Sequence, residues 1–176
     1  MKKTFFLLIF SFFIQSAIAQ NEIKFNIANT IAIASVEVGY ERFLDTNQSV
    51  EFAALINDRM NYHSESGSRK FNTNSFKLAY NFYFGEETGS GIFASPFMKY
   101  RSGDFEEEIT VGGVEVLQKT DMNAFMIGIG GGYKWNFNDT FVMGPYANIA
   151  RNFSDEVKER FSAIEFNAGF SVGYRF

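Results

Sequence analysis

The sequence has no cysteine, only two prolines and a single histidine. Without cysteine, a disulfide framework and a thiolate metal site are both excluded. The formal net charge is −4, and the basic residues form no stripe or tail, so the electrostatic footprint of a nucleic-acid-binding protein is missing. After the first nineteen residues, no run approaches the roughly 20 apolar residues of a membrane-spanning helix. These absences count against cystine-rich secreted modules, nucleic-acid binding and a helical membrane domain.

The first nineteen residues have the organisation of a secretory signal peptide. Lys2 and Lys3 precede an apolar run from Phe5 to Ile14, and the small-x-small pattern of a signal peptidase site follows at residues 17–19. The alternative is a membrane-anchoring helix, but the run is short for one. Residue 20 is glutamine, so lipoprotein processing at this point is excluded. We expect residues 1–19 to be cleaved and residues 20–176 to form one domain.

Phenylalanine (23 residues) and glycine (15 residues) are abundant, and they fall in strictly alternating segments. From Ile164 to Phe176, apolar residues alternate with polar or small ones. Successive side chains of a strand point to opposite faces, so such a segment is a strand with one apolar and one polar side. The pattern predicts eight strands, at residues 22–31, 35–43, 48–59, 71–84, 92–106, 115–137, 140–153 and 161–176.

The predicted connections differ in length on the two sides of the sheet. Short turns are expected at residues 45–47, 85–91 and 138–139, and longer polar loops at 60–70, 107–114 and 154–160. The connection near residues 32–35 is short for its side. Short turns at one end and longer loops at the other, with an even strand number, are typical of a transmembrane barrel.

The composition of the two rows distinguishes a membrane barrel from a soluble one. The polar row is rich in Gly, Ala, Ser and Asn, which suits a crowded interior better than a solvated surface. Aromatic residues gather where the strands meet the short turns, as in the girdle at a membrane interface. The girdle residues are Phe84, Trp135, Phe137 and Phe141. We therefore predict an all-β, eight-stranded antiparallel up-and-down transmembrane β-barrel; a soluble lipocalin-like barrel is the alternative.

The sequence ends in the alternating apolar residues Phe170, Val172, Tyr174 and Phe176. This ending resembles the C-terminal signal of bacterial outer-membrane β-barrels, which the barrel-assembly machinery reads in that family. The chain as a whole resembles the small barrels of the OmpA membrane domain and of OmpX.

An early stretch resembles uncharacterised outer-membrane barrels of Bacteroidota, in which a Lys-x-Asn strand leads to a Tyr-Glu-Arg strand. The matching positions are Lys24, Asn26, Tyr40, Glu41 and Arg42. Both resemblances imply a bacterial outer-membrane location, with membrane lipid and the assembly machinery as partners. Neither supplies a catalytic residue.

The polar row carries a set of opposite charges that the barrel would enclose. The set consists of Lys24, Glu37, Glu41, Glu51, Lys77, Lys99, Arg101, Lys134, Glu165 and Arg175. An eight-stranded barrel is just wide enough for side chains to fill it, and a buried charge without a partner is costly. We expect an ion-paired, closed lumen, with a narrow or gated pore as the alternative. The inward glycines at 128, 130 and 132 should leave room for long neighbours such as Arg101 or Tyr146.

Catalytic and metal-binding chemistry has little support in the sequence. His63 lies beside Ser64 and Glu65 on a predicted outer loop, where a lipid-modifying enzyme would place its residues, but adjacency on a loop does not make a triad. The Glu106–Glu108 run matches no calcium-loop spacing. We expect a non-enzymatic, monomeric protein without a cofactor or metal, whose role is structural or surface interaction. The long hairpin around residues 104–120 would offer an edge to an extracellular partner.

Overall fold

The structure is a computed structural model that describes residues 20–62 and 69–176. Over these residues, nine strands form one antiparallel sheet. The strands are β1 (Asn21–Asn26), β2 (Val36–Phe43), β3 (Gln48–Ile56), β4 (Lys70–Tyr83), β5 (Gly91–Val111), β6 (Val114–Asp121), β7 (Ala124–Phe137), β8 (Phe141–Asn152) and β9 (Ile164–Arg175). The helices are α1 (Ile27–Ile33), α2 (Asp155–Arg160) and a 3-10 turn at Met60–Tyr62.

The sheet closes on itself into a barrel. Consecutive strands pair with each other except β6 and β7, which both pair with β5, and β1 pairs with β9 to close the sheet. Strands β6 and β7 follow one another along β5, whose residues 104–111 pair with β6 and residues 91–101 with β7. They therefore count as one interrupted wall strand. The predicted fold, a closed eight-stranded antiparallel up-and-down barrel, is confirmed.

The alternation of the strands separates a polar interior from an apolar exterior. Charged residues of the polar row are buried, whereas the phenylalanines of the opposite row are exposed, among them Phe52 (51 %) and Phe76 (54 %). Large apolar side chains that are this exposed on all sides need an apolar surrounding rather than water.

The first predicted strand is wrong beyond Asn26, because residues 27–33 form helix α1. The Asn26 side chain accepts a hydrogen bond from the Asn29 N–H at 3.1 Å and caps the helix. Thr30 Oγ1 donates to the Asn26 carbonyl at 2.8 Å. Alternation alone could not reveal this local competition from Asn and Thr side chains.

One predicted loop is also wrong. Instead of a loop at 107–114, β5 and β6 continue to a two-residue turn at Gly112 and Gly113, both with positive φ (61° and 86°), as the twist of a hairpin requires. The predicted connection at 154–160 does join β8 to β9, and it contains helix α2, which is capped by the Ser154 side chain. The predicted strand 115–137 is interrupted at residues 122–123, opposite a left-handed Gly103.

Candidate functional site

The interior charges form three groups stacked along the barrel. The first lies near the short turns and centres on Glu22, which sequence analysis missed. Lys134 Nζ lies 2.7 Å from Glu22 Oε2 and 2.8 Å from Glu41 Oε2. Arg175 Nε donates to Glu22 Oε1 at 2.8 Å. Lys24 Nζ lies 2.7 Å from Glu41 and 2.6 Å from Glu51, which joins this group to the next.

The middle group is built around Glu37. Lys77 Nζ lies 2.7 Å from Glu37 Oε1. The Tyr146 hydroxyl donates to Glu37 Oε2 at 2.5 Å and Asn26 Nδ2 donates to the same oxygen at 3.1 Å. Lys77 also lies 3.8 Å from Glu51. Every charge in this group therefore has an opposite charge or a hydrogen-bond donor in contact.

The third group lies toward the long-loop end and joins Asp58 to β5 and β9. Asp58 Oδ2 is 2.7 Å from Lys99 Nζ and 2.9 Å from Arg101 Nη2. Glu165 contacts the same two cations, at 2.5 Å and 2.7 Å. Burial by itself raises the pKa of Asp58, but Arg101 and Lys99 outweigh it and hold that pKa well below its usual value.

Glu22 and Asp58 were missed for different reasons. Glu22 has the same parity as Lys24 and Asn26 on β1, so the alternation itself would have found it. Asp58 has the parity of the outward-facing Phe52 and Ile56. Asn57 adopts a left-handed conformation (φ 57°), which ends the alternation and lets Asp58 turn inward. The inward position of Asp58 is therefore visible only from the backbone geometry of the structure.

The interior between the groups holds little free space. Two adjoining cavities, of about 40 and 20 Å³, share Glu37, Lys77 and Asn148 in their lining. Such volumes hold only about two or three water molecules. A side chain at Gly130 would overlap Asn148, and one at Gly169 would lie 2.9 Å from the Tyr146 ring. Gly130 thus makes room for Asn148, and Gly169 makes room for the Tyr146 ring.

Contacts between the described residues link the connecting segments at each end of the barrel. At the short-turn end, Arg175 Nη1 donates to the Thr88 carbonyl at 2.8 Å and the Gly89 N–H donates to the Thr46 carbonyl at 2.9 Å. At the long-loop end, an apolar cluster joins the 3-10 turn, α2 and the hairpin base. Its large members are Met60, Phe71, Phe97, Phe105, Met122, Met126 and Val157, with Phe161 packed against them. The sequence offered no signal for this cluster, because its members come from predicted loops as well as strands.

The predicted aromatic girdle lies on the outer surface near the short turns. Trp135, Phe137 and Phe141 are each a little over 40 % exposed, and Phe84 is 69 % exposed. Phe137 and Phe141 rings lie 6.1 Å apart across the 138–140 turn. In the C-terminal row, Tyr174 and Phe176 are exposed and stacked at 6.3 Å, while Phe170 and Val172 are partly buried.

His63, Ser64 and Glu65 fall outside the described residues, as does the predicted signal peptide at 1–19. In residues 20–62 and 69–176, there is no group of three or more His, Asp or Glu side chains arranged to hold a metal ion. None of the helices in the same ranges has the length and apolar character to cross a membrane.

The fold resembles that of known small barrels. The N-terminal β-barrel domain of Pseudomonas aeruginosa OprF superimposes with a TM-score of 0.51 at 16 % identity, over 90 % of this chain and 96 % of that one. Ail of Yersinia pestis gives a TM-score of 0.48 at 12 % identity, over 90 % and 95 %. Neisserial surface protein A gives 0.42 at 13 % identity, over 89 % and 92 %. No family model and no curated protein matches the sequence. The likeness to the OprF domain supports the eight-stranded barrel fold and nothing finer.

Proposed function

We propose that this protein is an integral outer-membrane barrel with a closed lumen, which serves a structural or surface-interaction role and has no enzymatic activity. The observation that carries the proposal is the pairing of the interior cations. Lys24, Lys77, Lys99, Lys134 and Arg175 each lie within 2.8 Å of a carboxylate oxygen. Each of these charges already has a partner, so an ion that entered the lumen would have to displace that partner in order to bind.

The location forms part of the same proposal. The exposed apolar belt supports insertion in a bilayer, since hydrocarbon would cover the exposed phenylalanines. Residues 1–19 would act as the cleaved secretory signal, and the row Phe170, Val172, Tyr174 and Phe176 would be recognised by the assembly machinery. The protein would be a monomer, and its long-loop end would face away from the cell and serve as the contact surface.

A narrow or gated pore is the second candidate, and the two adjoining cavities favour it. They lie on either side of the Lys77–Glu37 pair. If that pair were to break, the hydrated spaces would join.

Conductance separates the two candidates. We expect the refolded mature chain, checked by its heat-dependent gel mobility, to be silent in planar bilayers at several voltages, because ion pairs occupy the lumen. Reproducible unitary steps that change in Lys77→Ala, Arg101→Ala or Glu51→Gln would overturn the closed lumen. Arg42→Gln is the matched control, because Arg42 lies on the opposite face of β2 from the buried Glu41 and Phe43.

A further inference from the structure

The hairpin of β5 and β6 rises beyond the barrel wall. β4 pairs with β5 only as far as Lys70 opposite Glu106, and β7 begins to pair at Ala124 opposite Arg101. Beyond Glu106, β5 pairs only with β6 among the described strands. The tip is therefore a two-stranded ribbon without a neighbour in the wall.

The outer edge of β6 carries backbone groups that face away from β5. The Asp121 N–H points to this outer side, away from β5, because it donates a hydrogen bond to Glu156 Oε1 of α2 at 3.2 Å. Hydrogen-bonding direction alternates along an antiparallel strand, so Glu115, Leu117 and Lys119 direct their N–H and C=O groups to the same side. Among the described residues, these three have no backbone partner there. They form an open row that an extended segment can pair with.

This edge lacks the usual protection against pairing. Natural edges are blunted by proline, bulges or lysines that point at an incoming strand. Residues 114–121 contain no proline, and their one lysine, Lys119, is held by Asp104 at 3.2 Å and Glu106 at 3.6 Å. Val114, Val116 and Leu117 are 64 %, 46 % and 58 % exposed. The edge thus combines unpaired backbone with uncovered apolar surface.

The charge of the ribbon selects the partner. Residues 104–121 hold six carboxylates and one ammonium group, a net charge of −5. Glu107 is bound by Arg69 and Arg160, at the base of the ribbon. Pairing with a second copy would bring two such ribbons within the screening length of about 8 Å at physiological salt, where like charges repel. The same field attracts a cationic strand.

We propose that the open edge of β6 binds an extended cationic segment of another protein, added as a further strand, with basic residues alternating with apolar ones. This inference rests on the proposed surface-interaction function. The backbone groups of Glu115, Leu117 and Lys119 supply the hydrogen bonds. Val114 and Val116 contact the apolar positions on one face of the ribbon, and the carboxylates of Glu108 and Glu115 attract the basic positions on the other face.

The test uses the whole refolded barrel in lipid nanodiscs and three fluorescent eight-residue peptides, with binding read by anisotropy at 150 mM salt. The first peptide alternates lysine or arginine with valine. The second has the same sequence with every residue N-methylated, which keeps the charge and removes the backbone N–H donors from both edges of the peptide. The third replaces the basic residues with glutamate. We expect the first peptide to bind, the N-methylated peptide to bind more weakly by about tenfold or more, and the glutamate peptide not to bind.

Variants of the hairpin separate the edge from the charge. Leu117→Pro removes the outward N–H at a position where an edge strand tolerates proline, and we expect about tenfold weaker binding, whereas Leu117→Ala keeps that N–H and should lose less. Glu108→Gln with Glu115→Gln should also weaken binding. Glu86→Gln with Glu87→Gln, at the opposite end of the barrel, is the control of equal charge change and should leave binding intact.

Three results would overturn the inference: equal binding of the N-methylated peptide, equal binding of the glutamate peptide, or concentration-dependent self-association in place of peptide binding. The conductance measurement keeps the two proposals apart. A silent barrel that ignores the cationic peptide retains the closed surface protein and rejects the edge. A conducting barrel rejects the closed surface protein whatever the peptide does.

Discussion

At the scale of single residues, stability inside the barrel depends on pairing rather than on hydrophobic contact. One carboxylate oxygen of Asp58, Oδ2, contacts both Lys99 and Arg101, and it also accepts a hydrogen bond from Ser75 Oγ at 2.5 Å. Removing one partner of a buried ion pair leaves a charge without compensation, which costs on the order of 3 kcal/mol. Asp58 follows the end of β3 and joins three wall strands, so its loss affects the long-loop end as a whole.

The depressed pKa of Asp58 predicts a pH dependence. Because the folded-state pKa lies below the unfolded value of about 3.9, the stabilisation by Asp58 is complete above that value and is lost as the pH falls below it. We expect Asp58→Asn to lower the free energy of unfolding by roughly 3 kcal/mol at pH 7, and this difference to shrink below about pH 4. Urea unfolding of the wild type and the variant in detergent micelles, at pH 7 and at a pH below about 4, measures this difference in the free energy of unfolding. A difference that did not depend on pH would refute the ionic role of Asp58.

At the scale of elements, the wall is uneven because local chemistry overrides alternation. α1 replaces the upper part of the first predicted strand, and it ends at Ala34 in a left-handed conformation (φ 52°). A non-glycine residue there costs about 1–2 kcal/mol. The Asn61 side chain bonds to the backbone of β9 as a neighbouring strand would. It donates to the Ile164 carbonyl at 3.2 Å and accepts a hydrogen bond from the Phe166 N–H at 2.7 Å.

Glycine substitutions test the helix end. Ala34→Gly should raise the free energy of unfolding by about 0.5–1 kcal/mol, because glycine adopts positive φ without strain. The same change inside the helix, Ala32→Gly, should lower it by about 1 kcal/mol. Chemical denaturation of both variants beside the wild type gives the values, and equal effects of the two changes would show that the left-handed position carries no strain.

At the scale of the whole molecule, the barrel and its projecting hairpin are separate in their packing. The apolar cluster at the long-loop end includes Phe105 and Met122 at the hairpin base. None of the residues of that cluster lies between 106 and 121. The tip therefore adds surface without adding core.

Shortening the hairpin tests this separation. Replacing residues 108–117 with an Asn-Gly turn keeps the buried Glu107 and should change the free energy of unfolding by less than about 1 kcal/mol, since the exposed tip contributes little burial. Val157→Ala, which opens a cavity in the apolar cluster, should cost about 1–3 kcal/mol. Chemical denaturation of the two variants under the same conditions gives both changes in the free energy of unfolding. A large loss of stability in the shortened variant would show that the hairpin unfolds as one cooperative unit with the barrel.

Much of the architecture follows from the sequence alone. Strict alternation over β4, β7, β8 and β9 identified the barrel and its polar interior, because a period of two has a single structural reading over ten or more residues. The turns predicted at 138–139 and 85–91 followed from their Gly, Asn and Asp content. These signals are local, so no tertiary information is needed to read them.

What only the tertiary structure decided are the features that join distant segments. Asp58 enters the interior because Asn57 turns the chain, α1 displaces a strand because Asn26 caps it, and Met60, Met122 and Val157 meet from three separate connections. The partner of each interior charge was also decided there, since Lys134 reaches Glu22 across 112 positions of sequence. Alternation determines which face a side chain takes, but closure of the barrel determines what it meets.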